Sequence, residues 1–227
     1  MSDIVELKSV SKWYESDPDR RVLDGIDLSV SEGERFAIVG PSGCGKSTLL
    51  NLLGTLDSPS EGEVLVGGEA LAGKTEKEIA AIRSRQIGFI FQLHHLLPQC
   101  TALENVLVPT LALPEKPDPE AATARAKSLL EKVGLGDKID SKPGQLSGGE
   151  RQRVAVVRSL INSPKILLAD EPTGALDEEN AGRLVDLLVE LNESENLALV
   201  MVTHDLELAA KLGDVRSLSG GNFSAAF

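Results

Sequence analysis

The amino-acid sequence predicts an α/β core that is interrupted by a helical insertion. Short apolar runs of strand length, such as Arg35–Val39, occur before Gln92 together with one helical pattern. Between His94 and Ser163 the strand pattern disappears, and helical patterns with proline-rich loops replace it. An apolar run of strand length returns at Ile166–Asp170, so we expect both ends of the chain to build one core.

The part of the chain before Gln92 is predicted to contain five strands and one helix. Partial alternation of apolar and polar side chains is typical of half-buried strands, and a continuous apolar run is typical of a buried one. Gly54 stops the helical pattern, and Gly67-Gly68 forms a tight turn after the fourth strand. The predicted strands are residues 4–10, 22–30, 35–39, 63–66 and 87–91, and the helix is 46–53.

The part after Gln92 is predicted to be mainly helical at first. Prolines between the first two helices mark the loops, since proline cannot continue a helix. A buried strand and a long helix follow, and the last predicted strand ends at Thr203-His204-Asp205. The predicted helices are residues 102–108, 120–133, 149–161 and 178–192, and the strands are 166–170 and 197–202.

Length and composition exclude several classes of protein. The chain has 227 residues, with 23 Lys and Arg against 35 Asp and Glu, which gives a net charge of −12. This acidic balance argues against general nucleic-acid binding, which needs a basic surface. No apolar run reaches the roughly 18–20 residues that cross a bilayer, and no secretory leader pattern is present. Cys44 and Cys100 form no disulfide or metal framework, so we expect a cytoplasmic protein.

The glycine-rich segment after residues 35–39 predicts a phosphate-binding loop. It reads Gly40-x4-Gly45-Lys46-Ser47, between a predicted strand and a predicted helix. Glycines at these places let backbone N–H groups surround phosphate oxygens, and the helix N-terminus favours the same negative charge. In such a loop the lysine reaches the β- and γ-phosphates and the serine hydroxyl binds Mg²⁺.

Two further segments indicate nucleotide chemistry. The apolar strand 166–170 ends in Asp170 and Glu171, at the edge where α/β sheets bind ligands. There Asp170 can hold the metal, and Glu171 can polarise an attacking water. Ser147-Gly148-Gly149 starts a helix and offers a second anion-binding terminus, for which a single chain has no evident use.

Together these segments resemble the ATP-binding cassette (ABC) ATPase family, over about residues 4–220. The resemblance implies a P-loop NTPase core with a mainly parallel sheet, an N-terminal antiparallel β subdomain and an inserted helical subdomain. It implies one domain over 1–227, with a core lobe at about 1–92 and 163–227 and a helical subdomain at about 93–162. The matching motifs are Walker A (40–47), the Q-loop residue Gln92, the signature (146–150), Walker B (166–171), the D-loop (174–177), the switch residue His204 and the adenine-facing Tyr14.

The resemblance also implies the roles of the site residues. Two copies would close head to tail around ATP, and each signature would contact the γ-phosphate that the other copy holds. Glu171, His204 and Gln92 would be catalytic, and Ser47, Gln92 and Asp170 would hold Mg²⁺. The residues that would contact the nucleotide are Tyr14, Gly40, Ser42, Gly43, Cys44, Gly45, Lys46, Ser47, Thr48, Ser147, Gly148, Gly149 and Asp177.

Finer resemblance concerns the segments around Gln92, Pro172 and His204. They are similar to the branch of lipoprotein-releasing, macrolide-exporting and cell-division ATPases, although Ala175 departs from the asparagine usual there. The resemblance implies a permease subunit bound to the helical subdomain near Gln92, which keeps the chain on the cytoplasmic face of the inner membrane. The alternatives are an importer ATPase and a nucleotide-switched interaction module.

Rival interpretations of single features are weaker. A GTPase would carry an Asn-Lys-x-Asp motif, which is missing, and a kinase would not explain the signature segment. We expect His94-His95 to be a surface loop and not a metal pair, and Cys44 to fill space. For the arginines at 151, 153 and 158 we expect a solvated or interface face of the helix.

Overall fold

The computed structural model describes residues 3–15 and 20–223, and its secondary structure follows the predicted order. Three 3₁₀ helices lie at Val108–Ala112, Gly136–Lys138 and Pro143–Gln145. The strands are β1 (Asp3–Lys12), β2 (Leu23–Ser31), β3 (Arg35–Val39), β4 (Glu61–Val66), β5 (Glu69–Ala70), β6 (Ile87–Phe91), β7 (Ile166–Asp170), β8 (Ala198–Val202), β9 (Val215–Ser219) and β10 (Asn222–Phe223). The helices are α1 (Lys46–Leu53), α2 (Glu76–Gln86), α3 (Ala102–Leu107), α4 (Pro119–Lys132), α5 (Gly148–Leu160), α6 (Glu178–Glu195) and α7 (Leu206–Ala210).

The strands form two sheets, which confirms the expected mixture of antiparallel and parallel pairing. An antiparallel sheet has the order β2-β1-β4-β5. The turn between β4 and β5 contains Gly67 and Gly68, both with positive φ, as a two-residue hairpin turn of type I′ requires. The second sheet has the order β10-β9-β3-β8-β7-β6, and all its pairs are parallel except β10 with β9.

The parallel sheet is buried on both faces, which explains why its strands are apolar without alternation. In β7, Leu167 and Ala169 belong to one apolar cluster, while Ile166 and Leu168 belong to another. The first cluster includes residues of α3, α4, α5 and α6. The second includes residues of α1 and of the antiparallel sheet. The two layers therefore hold the central strands rigidly, and with them the loops at the strand ends.

Helix α2 was not among the predicted elements. It buries no residue fully, so it has no apolar periodicity that could reveal it. Its start nevertheless carries a sequence signal, because Thr75 and Glu78 form a capping box. Thr75 Oγ1 accepts from Glu78 N at 3.3 Å, and Thr75 N donates to Glu78 Oε2 at 2.8 Å.

Candidate functional site

Four parallel strands end at the same edge of the second sheet and bring the predicted site residues together. Ile38 of β3 pairs with Val202 of β8, Val202 pairs with Asp170 of β7, and Asp170 pairs with Phe91 of β6. Because parallel strands in register finish side by side, the residues that follow them share one edge. Those residues are Gly40, His204, Glu171 and Gln92.

The loop between β3 and α1 has the conformation that its glycines permit. Gly40, Gly43 and Gly45 have φ values of 155°, 76° and 106°, in the region that side chains with a Cβ rarely adopt. A Cβ at Gly40 would lie 2.2 Å from the carbonyl oxygen of Leu218, and one at Gly45 would lie 2.8 Å from that of Val22. The loop therefore packs closely against backbone and turns directly into the N-terminus of α1.

Lys46 and Cys44 lie within this loop. Lys46 Nζ donates to the carbonyl oxygens of Gly40 at 2.8 Å and Pro41 at 3.0 Å, so the ammonium group is held over the loop. The Cys44 side chain is partly buried and packs against the apolar cluster below the loop. These contacts suit the expectation that Cys44 fills space.

Ser47 and Asp170 meet directly, although 123 positions separate them in the sequence. Ser47 Oγ donates to Asp170 Oδ1 at 3.3 Å. Burial raises the pKa of the Asp170 carboxyl, the hydrogen bond from Ser47 lowers it, and the Glu171 carboxylate raises it further. A hydroxyl and a carboxylate side by side are the oxygen ligands that Mg²⁺ prefers, and the Lys46 ammonium adds positive potential nearby.

Glu171 and His204 form a second pair at the same edge. His204 Nδ1 lies 2.9 Å from Glu171 Oε2. Glu171 has a φ of 46°, and its N–H donates to the carbonyl oxygen of Val202 at 2.9 Å, so the backbone fixes its position. An ionised carboxylate only accepts, and Nδ1 therefore carries the proton in this pair, which leaves Nε2 for water or a ligand. The His204 ring is 76% exposed.

The signature segment lies at the start of α5. Ser147 caps the helix: its Oγ accepts from Glu150 N at 3.2 Å, and its N–H donates to Glu150 Oε2 at 2.6 Å. Hydrogen bonds from the backbone and side chain of Ser147 lower the pKa of Glu150. Ser147 is exposed, and its contacts among the described residues lie within this cap.

The D-loop residue Asp177 caps α6 in the same way. Its carboxylate accepts from the backbone N–H and the side-chain amide of Asn180, at 2.9 and 2.7 Å, and these bonds lower its pKa. A Cβ at Gly149 would lie 3.2 Å from Asn180 Oδ1, so the signature and the D-loop are neighbours. Nucleotide contact by Asp177 stays a prediction.

Tyr14 is close to the phosphate loop, although it follows β1, a strand of the other sheet. Its hydroxyl lies 3.3 Å from Thr48 Oγ1 in α1 and donates to Asp57 Oδ2 at 3.2 Å. The residue is 40% exposed, so part of the ring is open to solvent. This location is compatible with the predicted role against adenine, which stays a prediction.

Two of the three arginines that were expected on a solvated or interface face of α5 bond to carbonyl oxygens of their own chain, so they are not simply solvated, while an interface stays a prediction. Arg151 donates to the carbonyl oxygen of Leu146 at 2.6 Å, within its own chain. Arg158 donates to the carbonyl oxygens of His95 and His94, at 2.8 and 2.7 Å. A guanidinium group has five N–H donors, so one arginine can bond several backbone carbonyl oxygens of a loop. Arg151 and Arg158 do this for the loops before and beside α5.

The same helix makes a further contact that sequence reasoning missed. The buried Gln152 donates from Nε2 to the carbonyl oxygen of Phe91, at 2.9 Å, immediately before Gln92. His94 Nδ1 in turn accepts from the N–H of Leu96 at 3.1 Å, and burial followed by the charges of Arg151 and Arg158 lowers the pKa of His94. Helix α5 is thus bonded to both sides of the Q-loop residue.

The described ranges, 3–15 and 20–223, contain neither a preformed metal cluster nor a helix that could span a membrane. In these ranges no three His, Cys, Asp or Glu side chains lie together as a metal cluster. None of the helices there combines the length and the apolar character that crossing a membrane requires.

Comparison with known proteins gives a consistent picture. A sequence model of the family described as "ABC transporter" matches residues 23–174. A "Lipoprotein-releasing system ATP-binding protein LolD" from Pseudomonas syringae pv. tomato is 50% identical, over 97% of this chain and 98% of that protein. A protein of the same description from Xanthomonas axonopodis pv. citri is 48% identical, over 96% of this chain and 89% of its own length.

Solved structures agree with the sequence relatives. The cassette MJ0796, solved as a dimer in a "post-hydrolysis state" bound to ADP and Pi, is 40% identical, with a TM-score of 0.87 over 97% of both chains. The cbiO1 protein from Clostridium perfringens, described as part of the transporter complex cbiONQ, is 27% identical. It has a TM-score of 0.88 over 99% of this chain and 88% of its own.

Proposed function

The chain belongs to the ABC transporter family as an ATP-binding, ATP-hydrolysing subunit of a transporter complex, and we propose that this complex releases lipoproteins from a membrane. The observation that carries the proposal is the 50% identity to a lipoprotein-releasing ATPase over nearly the whole of both chains. The ATP site itself cannot distinguish one transporter from another, because substrate is selected on the membrane subunit. Similarity over nearly the whole length of both chains is therefore the relevant support.

The phosphate loop and Lys46 bind the triphosphate in this proposal. Backbone N–H groups between Gly40 and Thr48 donate to the phosphate oxygens, and the N-terminus of α1 adds its dipole. The Lys46 ammonium exchanges its carbonyl partners for β- and γ-phosphate oxygens, which are stronger acceptors because they are charged. Ser42, Gly43 and Cys44 line the outer turn of this loop.

Mg²⁺ is part of the proposal because the donor set fits it. Ser47 Oγ and Asp170 Oδ1 would supply two oxygens, and the side-chain oxygen of Gln92 is the third candidate, because Gln92 follows Phe91, which pairs with Asp170. A bound ion would supply positive charge that neutralises the phosphates. Ser47 and Asp170 are already in contact, so they need little rearrangement to share one ligand.

We propose that Glu171 activates the attacking water and that His204 positions Glu171. Glu171 accepts a hydrogen bond from the water and takes its proton as the oxygen attacks the γ-phosphorus, while the bond from that phosphorus to the bridging oxygen breaks and ADP leaves. His204 holds the carboxylate at 2.9 Å, and it can bond a phosphate oxygen through Nε2 when both ring nitrogens are protonated. Both side chains sit on strand ends of a buried sheet, so the geometry for in-line attack is held by the fold.

We propose that Ser147, Gly148 and Gly149 act on the nucleotide of a second copy. The cap residue Ser147 is exposed and the first residues of α5 are partly exposed, so the helix N-terminus offers N–H groups and its positive dipole end, which suits a γ-phosphate held by another molecule. The related cassette MJ0796 has been solved as a dimer, which supports pairing of two copies, and the head-to-tail arrangement is our proposal. Loss of the γ-phosphate removes the shared anion and lets the two copies separate.

The membrane subunit is proposed to bind the helical part of the chain near Gln92, within the predicted helical subdomain 93–162. Large apolar side chains are unusually open there: Leu93 is 62% exposed and Leu111 is 70% exposed. Open apolar side chains next to a nucleotide-contacting loop suit a partner that transmits motion. This attachment would hold the chain at the cytoplasmic face of the membrane.

The test replaces the relative in Pseudomonas syringae with this chain and measures release of labelled lipoproteins from membrane vesicles. We expect ATP-dependent release with the wild-type chain and none with Lys46→Ala, which cannot hold the phosphates. A chain that hydrolyses ATP and co-purifies with a many-span permease and a solute-binding protein would instead indicate an importer. ATP binding without turnover in the assembled complex would indicate a switch module.

A further inference from the structure

The hydroxyl end of Tyr14 is fixed by two side chains from the loop and helix opposite it. Thr48 Oγ1 lies 3.3 Å from the hydroxyl and Asp57 Oδ2 lies 3.2 Å from it. A carboxylate can only accept and a hydroxyl has one proton, so Tyr14 donates to Asp57 and Thr48 donates to Tyr14. The hydrogen bonds therefore run in one direction, from Thr48 of α1 through the Tyr14 hydroxyl to Asp57.

Asp57 is in turn fixed by Lys12. Lys12 Nζ donates to Asp57 Oδ1 at 2.6 Å and to the carbonyl oxygen of Ser58 at 2.7 Å. Lys12 is only 9% exposed, and its ammonium lies 5.0 Å from the centre of the Tyr14 ring. A buried ammonium without a charged partner is energetically costly. The ion pair with Asp57 is therefore needed to keep Lys12 buried.

Packing alone does not explain the position of the Tyr14 ring. The residue is 40% exposed and stands outside both apolar clusters. Its polar contacts are all at the hydroxyl, and the ammonium of Lys12 adds a cation–π contact. A partly exposed aromatic ring that is held at its far end is preorganised to offer a surface to a flat ligand.

We propose that Asp57 and Lys12 are positioning residues for nucleotide binding, which hold Tyr14 as the stacking surface for the base. The proposal rests on the proposed role of Tyr14 against adenine. It also joins the base to the phosphates, because Thr48 belongs to the phosphate loop helix and bonds the same hydroxyl. The class of ligand is a nucleoside triphosphate, and the part of it that depends on these residues is the base.

The experiment compares two ligands, ATP and inorganic triphosphate, by calorimetric titration of the full chain with Mg²⁺ present. Tyr14→Phe removes the hydroxyl but keeps the ring, and Asp57→Asn removes the charge that pairs with Lys12. We expect both variants to bind ATP roughly three- to tenfold more weakly and to bind inorganic triphosphate unchanged. Lys12→Arg, which keeps the positive charge, should lose less affinity for ATP than Lys12→Met.

The matched control is Glu69→Gln, because Glu69 also pairs with a lysine, Lys74 at 2.9 Å, but stays exposed and away from Tyr14. It should bind both ligands like the wild type. Thermal unfolding of each variant reports its fold, and if Asp57→Asn does not fold, Tyr14→Phe decides alone.

The possible outcomes separate the two proposals. Unchanged ATP affinity in Tyr14→Ala would reject stacking itself. If Tyr14→Ala binds ATP more weakly while Tyr14→Phe and Asp57→Asn bind it like the wild type, the base stacks on Tyr14 but the positioning role is overturned. An equal loss for ATP and inorganic triphosphate would mean that the network only maintains the phosphate loop, which also overturns the proposal.

Discussion

The side chain of Gln92 lies directly against the α-carbon of Gly174. A Cβ added at Gly174 would lie 2.7 Å from Gln92 Nε2, closer than such atoms approach without displacement. The residue that follows β6 and the turn that follows β7 are thus packed together beside Asp170. Because the nearest atom is the end of a flexible side chain, a methyl group at this position would move Gln92 and leave the fold intact.

Gly174→Ala is therefore expected to lower the turnover number for ATP roughly ten- to hundredfold without lowering the melting temperature. The cause is a displacement of Gln92 by somewhat less than about 1 Å, and small misplacements of this kind are costly in catalysis. Steady-state kinetics and thermal unfolding measure the two effects. Gly144→Ala is the control, because a Cβ there meets nothing within 4 Å. Equal activity in both variants would contradict the role of this contact.

Glu171→Gln should retain ATP binding and lose on the order of 10²–10⁴ in turnover. The amide keeps the size of the side chain but cannot take a proton from water. Without hydrolysis the γ-phosphate persists, so a nucleotide-bound dimer should accumulate, which light scattering would detect. Glu179→Gln, in an exposed pair with Arg183, should behave like the wild type. Turnover that survives in Glu171→Gln would remove this carboxylate from the mechanism.

Much of the core could be predicted from the sequence. The bounds of β3, α1 and β7 agree with the prediction because β3 and β7 are mainly apolar runs, α1 has a helical pattern, and each ends sharply, at Gly40, Gly54 and Asp170. A strand that is buried on both faces needs apolar side chains on both faces, whatever the order of the strands in the sheet. The same strands carry the phosphate loop and Glu171, so the candidate site was predictable with them.

Other features depend on strand order, which no local pattern contains. Tyr14 and Asp57 are 43 positions apart, and Arg158 and His95 are 63 apart. Their contacts follow from how the two sheets and α5 are placed around each other. Strand β9, a partly buried neighbour of β3, has no strong apolar signal either, and neither does the short β10. Both were absent from the prediction.

Removal of Mg²⁺ with a chelator should stop ATP hydrolysis, and Asp170→Asn should raise the Mg²⁺ concentration for half-maximal turnover more than tenfold. The amide supplies a weaker, uncharged oxygen in place of the carboxylate beside Ser47. Titration of turnover with MgCl₂ at saturating ATP measures the change. Asp186→Asn, in an exposed pair with Lys211, is the control. An unshifted Mg²⁺ dependence would show that Asp170 does not hold the ion.

The cap of α5 predicts a pH dependence of stability. The pKa of Glu150 is lowered in the folded chain, so its carboxylate stabilises the fold above the unfolded pKa and loses this effect as pH falls through the folded pKa. Glu150→Gln should therefore lower the free energy of unfolding by about 0.3 kcal/mol at pH 7 and by less near pH 3.5. Urea unfolding at both pH values tests this. If the difference in the free energy of unfolding between Glu150→Gln and the wild type is the same at both pH values, the role of the Glu150 carboxylate is rejected. The control is Glu190→Gln, at an exposed position, which should unfold like the wild type at both pH values.

The bonds from Arg158 to His94 and His95 predict that α5 and the loop after Gln92 move together. Arg158 holds both carbonyl oxygens with separate nitrogens, and Gln152 holds the carbonyl of Phe91 on the other side. A lysine at position 158 has a single nitrogen and cannot reproduce this fork. Opening of the loop would become easier by about 1.4 kcal/mol, which corresponds to a tenfold faster amide exchange.

Hydrogen exchange of Arg158→Lys should therefore accelerate about tenfold at residues 93–97, while the strands of the parallel sheet exchange as in the wild type. Arg183→Lys, on the exposed face of α6 beside Glu179, is the matched control and should leave exchange at 93–97 unchanged. Helix α5 begins at the signature segment, which we propose to contact a second copy. Without the Arg158 bonds, a movement of α5 would no longer be transmitted to the loop after Gln92. Unaltered exchange in Arg158→Lys would mean that Gln152 and packing suffice to hold the loop, and the link through Arg158 would be rejected.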